Sequence, residues 1–229
     1  FQLAKLDIKE RYIRSIIGPF WITISMLLTI ICLGVVFNFL FKQSLADFFP
    51  YLGIGLIFWS YINSTILEAC KIGQENRGNF KNYNINYDFY IVKHVFKQTF
   101  ILFHHLVIIL LIMLWFNIKV EPKVILIAIS LISSSVLLYY LSKIVFYLST
   151  RFNDLEQIIM SLLTFSFYLT PIIWKKKFLS EYQYLVDYNP FYHIIHIFRS
   201  LLLNEPMYLK SLVIVIAMTL VLILVSKIV

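Results

Sequence analysis

Charged residues are scarce in this chain. Only 14% of its 229 residues are Asp, Glu, Lys or Arg, whereas 60% are hydrophobic. Soluble domains carry about a quarter charged residues, so a water-exposed fold would show large apolar patches. Cysteine is nearly absent, with two in total. Cys32 and Cys70 lie far apart in or beside apolar stretches, where a small buried hydrophobe is the expected role. No disulfide framework or metal-ligand spacing involves them. The six glycines are scattered, and no G-x-x-x-x-G-K-[ST] phosphate loop occurs. The chain therefore does not hydrolyse ATP in the P-loop manner. No serine stands in a nucleophile-elbow pattern. His193 and His196 are three residues apart, yet no Glu or Cys completes a zinc pattern around them, and interfacial polar roles are the alternative. His104 and His105 are adjacent and point about 100° apart on a helix, so one site cannot use both.

What is abundant is apolar length. A membrane-spanning helix needs about 20 apolar residues. Six stretches qualify, near 20–41, 48–67, 98–118, 124–150, 157–174 and 208–227. The mean hydropathy is +0.82. The fold expected is all-α, a polytopic membrane protein with six transmembrane helices. The apolar cores of these spans hold no Asp or Glu. That weighs against ion-coupled carriers, which place acidic groups within their spans. It leaves a neutral, aromatic-rich interior, suited to sugars.

The net charge is +8. The basic residues sit in short segments between apolar stretches, which fits membrane topology and anionic lipid and gives no reason to invoke nucleic acid. With the N-terminus inside, twelve basic residues fall on the cytoplasmic side and eight outside, the latter including Arg199. The expectation is N- and C-termini in the cytoplasm. Residues 1–19 read as an amphipathic interface helix, with Asp7, Arg11 and Arg14 on one face and Gly18-Pro19 ending it. The stretch 178–204 is too apolar and aromatic for a free loop, and Asn189-Pro190 splits it. A pair of short re-entrant helices before the last span is expected, an ordinary packed hairpin being the alternative.

Four stretches, in order, carry a family resemblance. They are Asp7-Ile-Lys-Glu-Arg-Tyr-Ile-Arg-Ser-Ile-Ile-Gly-Pro-Phe-Trp21, Arg151-Phe-Asn-Asp154-Leu-Glu-Gln157, Phe167-Tyr-Leu-Thr-Pro-Ile-Ile-Trp174, and Asn189-Pro-Phe-Tyr-His-Ile-Ile-His-Ile-Phe-Arg199. Together they resemble the ABC-2 type permeases that export O-antigen, capsule and teichoic-acid polysaccharides. One departure is the lack of a Pro in 85–91, before the third span.

The resemblance implies a permease of the bacterial inner membrane, working as a homodimer with two ATP-binding cassette subunits. Lipid-linked polysaccharide is the implied substrate. This chain would bind no cofactor; ATP and Mg would sit on the partner subunit. It implies a coupling segment at 74–90, with Arg77, Asn79 and Tyr83 as contacts, a solvated loop being the alternative. Arg11 and Arg14 would meet the ATPase or lipid phosphates. Arg151 and Asp154 would either dock or pair with each other. Trp59, Tyr61, Phe165, Tyr168 and Trp174 would approach the substrate channel, with helix packing as the alternative. Pro171 would bend the fifth span near a gate. A drug or lipid ABC-2 permease is the competing reading. A multi-span membrane glycosyltransferase stands further off, lacking Asp-rich motifs.

Overall fold

The computed structural model describes Gly18 and residues 20–77, 87–119 and 121–228, without the side chain of Val124. The interface segment before residue 18 and the centre of the coupling segment, 78–86, lie outside the described residues. Among those described, the secondary structure is entirely helical. The elements are α1 (Phe20–Phe41), α2 (Leu45–Glu75), α3 (Tyr87–Trp115), a 3-10 turn (Pro122–Leu126), α4 (Ile127–Arg151), α5 (Leu155–Leu169), a 3-10 segment (Lys176–Tyr188), α6 (Pro190–Leu202) and α7 (Tyr208–Val225).

Five of these, α1, α2, α3, α4 and α7, are long and apolar enough to cross a membrane. α1 buries only Ile30 and Gly34. A helix apolar all round and barely covered by its own protein belongs in lipid. α2 is its opposite: the central rod, packed on α1, α3, α4, α5 and α6. Leu52, Ile57 and Ile62 on α2 are fully enclosed. The Phe58 ring stacks on Phe198 of α6 at 3.7 Å. Gly73 lets α2 lie against α4: an added Cβ would sit 2.6 Å from the Phe146 carbonyl oxygen and collide with Ser149 Oγ.

Two helices run further than the apolar stretches alone suggest. α2 has 31 residues, about 46 Å at 1.5 Å per residue, against a hydrocarbon core of about 30 Å. Its last turns, and the first turns of α3, carry charges that a hydropathy window discards. Those charges cross-link helices: Lys97 to Glu68 at 2.9 Å, Lys143 to Asp88 at 2.6 Å and Lys71 to Glu156 at 3.6 Å. Ser44 caps the other end of α2, accepting from the Asp47 amide at 3.1 Å.

The fifth span departs from the expectation of a helix to Trp174. α5 ends at Leu169, and its 15 residues make about 22 Å. Pro171 is the cause. The residue before a proline is driven out of the α region, and Thr170 is extended, with ψ of 134°. Pro171 thus terminates the helix rather than bending it. Residues 170–174 continue without helix, and the 3-10 segment and α6 fold back. Every residue of α6 from Tyr192 to Leu202 is buried. At 13 residues α6 is too short to span. It sits among α2, α4 and α7, where irregular backbone nearby is screened from lipid by protein.

Candidate functional site

The broken end of α5 is where separated sequence stretches meet. Pro171 removes a donor and the chain leaves helix, so carbonyls near it need partners. Arg199 of α6 supplies them. It is 1% exposed, although its place in the sequence suggests an outer loop. Its guanidinium donates to the carbonyls of Pro171 (2.5 Å), Tyr51 (3.0 Å) and Ile172 (3.3 Å). The Tyr51 ring covers it, 3.5 Å from centroid to Cζ. That ring's single hydroxyl proton is shared between Pro171 O at 2.9 Å and Trp174 O at 3.0 Å. Gly55 makes room: a Cβ there would run into Arg199 Nη2. Asn189 adds a second tie. Its side-chain oxygen caps α6 at the Phe191 and Tyr192 amides, and its amide nitrogen donates to Thr170 Oγ1 at 2.9 Å.

Charge around this end is arranged in layers. Asp187 receives Lys176 at 2.6 Å and Lys210 at 3.4 Å. Burial opposes its ionisation, but the bonds from these lysines hold its carboxyl below the usual range. Burial pushes Glu205 up, partly countered by Arg199 and Lys175. Ser211 Oγ lies 3.0 Å from Nδ1 of both His193 and His196. His193 Nε2 is 2.9 Å from the Asp187 carbonyl oxygen, so a neutral His193 donates from Nε2 and accepts the Ser211 proton at Nδ1. His196 Nδ1 then donates to Ser211. The histidines are hydrogen-bonding members of the packing here, and His196 Nε2 faces Glu205 Oε2 at 3.6 Å.

The residues expected at a channel separate into two groups. Trp59 and Tyr61 are in the protomer core, 8% and 3% exposed. Trp59 packs against Phe167 and Phe191 at 5.7 and 5.6 Å. The Tyr61 hydroxyl bonds with Thr99 and Ser135 at 3.0 and 2.9 Å, tying α2 to α3 and α4. Phe165 and Tyr168 are on the outside of α5, 63% and 66% exposed. Gln157, Ser161, Thr164 and Tyr168 recur at spacings of four, three and four, and all four are exposed. They form one stripe along α5. Ser161 and Thr164 donate to helix carbonyls at 2.9 and 2.8 Å, so their oxygen lone pairs remain outward. The stripe ends at a groove of about 490 Å³ lined by Tyr168, Trp174, Leu185, Tyr188, Pro190 and Phe191. Trp174 Nε1 donates to Tyr168 O at 3.1 Å across its edge.

At the opposite end of the bundle, Arg77 reaches the turn between α4 and α5. It donates to Asn153 Oδ1, and to Arg151 O at 3.4 Å. Gln74 Nε2 donates to Asn153 O at 3.0 Å. Arg151 and Asp154 form no ion pair with each other among the described residues. Asp154 precedes α5 without capping it by its side chain. Arg11, Arg14, Asn79 and Tyr83 lie outside the described residues.

Sequence reasoning assigned no role to Tyr51, Gly55, Thr170, Asn189 or Arg199. A signal for one of them was present: a lone Arg within an apolar, aromatic stretch needs buried partners. Nothing in the sequence points to Tyr51, which is 148 residues away from Arg199.

No curated protein matches the chain. Residues 1–203 match the family described as ABC-2 type transporter. That match takes in the α5 stripe, the break at Pro171 and the buried Arg199 together. The chain therefore belongs to the ABC-2 type transporter family, as a multi-pass membrane permease subunit, and the family implies association with ATP-binding subunits.

Proposed function

We propose that this permease exports polysaccharide, lipid-linked at its end, across the inner membrane, with two copies of the chain facing each other across the passage. Two separate ATPase subunits would bind at the Arg77 end, which the proposal places in the cytoplasm together with both termini. The single observation that carries the reading is the outward face of α5. Gln157, Ser161, Thr164 and Tyr168 stand in line with Phe165 beside them, and none of the five is covered by the protomer. Lipid offers no partners for such oxygens. Hydroxyl lone pairs and aromatic faces match the hydroxyl rims and C–H faces of sugars. The stripe carries no formal charge, which suits a neutral polymer sliding past.

Force would travel from the ATPase through the coupling segment. Arg77 is at its edge and holds the α4–α5 turn through Asn153. A push there moves the foot of α5, whose other end is fixed by Tyr51, Asn189 and Arg199.

The experiment is deletion of the gene in its own bacterium. The reading predicts lipid-linked polymer stranded inside and surface glycan lost. Unchanged surface glycan with intracellular accumulation of a toxic compound or a lipid would overturn the polysaccharide assignment in favour of a drug or lipid permease.

A further inference from the structure

At the Pro171 end of the bundle is a second, separate cavity of about 320 Å³. Its size is at the lower end of small-molecule sites, roughly 300–1,000 Å³. Lys175, Lys176, Lys177, His196, Arg199 and Glu205 line it. Four cations thus meet one carboxylate. Lys176 is committed to Asp187 at 2.6 Å. Among the described residues Lys175 and Lys177 form no ion pair; each rests over a ring instead, Tyr51 at 5.4 Å and Phe178 at 5.8 Å. Arg199 is buried with carbonyls and a ring as its partners, and no carboxylate lies within ion-pair distance. Its Nε has no hydrogen-bond partner. A buried donor left unpaired is costly, and an uncompensated cluster of cations is costly too. Burial, and then Lys177 nearby, lower the affinity of the Lys175 amine for its proton, as expected where positive charge lacks a counterion.

We propose that this cavity is an anion site that takes a phosphate group. Lys175 and Lys177 hold its oxygens at the mouth, and Arg199 sets the positive floor. Phosphate chemistry suits the site because several acceptor oxygens can serve lysines approaching from different directions. The position, beside the break after α5 and at one end of the bundle, gives access from the headgroup layer and from water. Phosphate arriving as an anionic phospholipid headgroup and phosphate arriving free share this chemistry. Occupancy would bridge the 170–177 stretch to α6 and so stiffen the end of α5.

The test uses the full chain with its ATPase subunit in phosphatidylcholine nanodiscs. In one arm phosphatidylglycerol is added, and retained lipid is read by native mass spectrometry. In the other, inorganic pyrophosphate is titrated calorimetrically. Lys175→Ala/Lys177→Ala and Lys175→Glu are compared with the wild type, the thermal midpoint verifying that each remains folded. Removing two lysines from such a site should weaken binding about tenfold or more. Preferential retention of phosphatidylglycerol, lost in the variants, supports the site with lipid as the source. Pyrophosphate binding, lost in the variants, supports it with free phosphate as the source. Binding in neither arm, or binding that folded variants leave unchanged, overturns the proposal.

Discussion

Replacing Tyr51 by Phe removes one oxygen and leaves the ring over Arg199. The one O–H proton that Pro171 O and Trp174 O share is lost. Pro171 O keeps Arg199 Nη1, while Trp174 O loses the hydroxyl. A typical intramolecular hydrogen bond contributes about 0.5–1.5 kcal/mol net, and those between membrane helices average about 0.6. The expected destabilisation is about 0.5–1.5 kcal/mol, the worth of one shared donor. Tyr51→Leu also removes the ring, and a desolvated cation–π contact is worth about 2 kcal/mol or more. That variant should therefore be less stable than Tyr51→Phe by about a further 2 kcal/mol, a factor of about 30 in the unfolding equilibrium. Unfolding in mixed detergent, followed by tryptophan fluorescence, measures both differences. If Tyr51→Phe stays within about 0.3 kcal/mol of wild type, below the smallest usual hydrogen-bond contribution of about 0.5 kcal/mol, the hydroxyl does not hold the break. If Tyr51→Leu is no worse than Tyr51→Phe, the ring does not stabilise Arg199.

Other consequences follow from the same contacts. Gly73→Ala forces a Cβ against the Phe146 carbonyl, which as backbone cannot step aside, and should cost about 1–3 kcal/mol by overpacking; thermal midpoints in detergent measure this. Arg77→Ala should change stability by no more than about 1 kcal/mol, as for exposed polar contacts, yet lower substrate-stimulated ATPase activity; normal stimulation in the folded complex would remove Arg77 from the coupling path. Asp187 has a carboxyl held below its ordinary value by Lys176 and Lys210 against the opposing effect of burial. Its stabilisation is present above the unfolded value of about 3.9 and lost as pH falls through the lower folded value. Midpoints of the wild type should thus drop on acidification through that window, and Asp187→Asn should flatten the drop.

Much of the membrane architecture was legible because hydropathy is local. Residues 20–41 contain no charge, and a helix occupies those positions. Other features were hidden because they depend on distant partners. The ends of α2 and α3 carry Glu68, Lys93 and Lys97, which read as loop until the Glu68–Lys97 pair across helices is seen. Arg199 counts as an outer-loop cation by topology, but the carbonyls around Pro171 draw it inside. The resemblance implies that Trp59 and Tyr61 approach the passage, with helix packing as the alternative, and contacts with Phe167 and Phe191 and bonds to Thr99 and Ser135 put them in the protomer core. Thr170 and Asn189 show no role in the sequence, since only the folded chain brings them to 2.9 Å.

The exposed stripe of α5 is what the transport reading depends on most, and thiol accessibility tests it directly. Single cysteines at Ser161, Thr164 and Tyr168, in a chain without Cys32 and Cys70, are exposed to a charged, water-soluble maleimide in the ATPase-bound transporter. Val213, Leu220 and Leu224 on the exposed apolar face of α7 serve as references. The account predicts labelling at the three α5 positions, reduced by polymer substrate, and none at the α7 positions. Alpha-five cysteines as inert as those of α7 would contradict it.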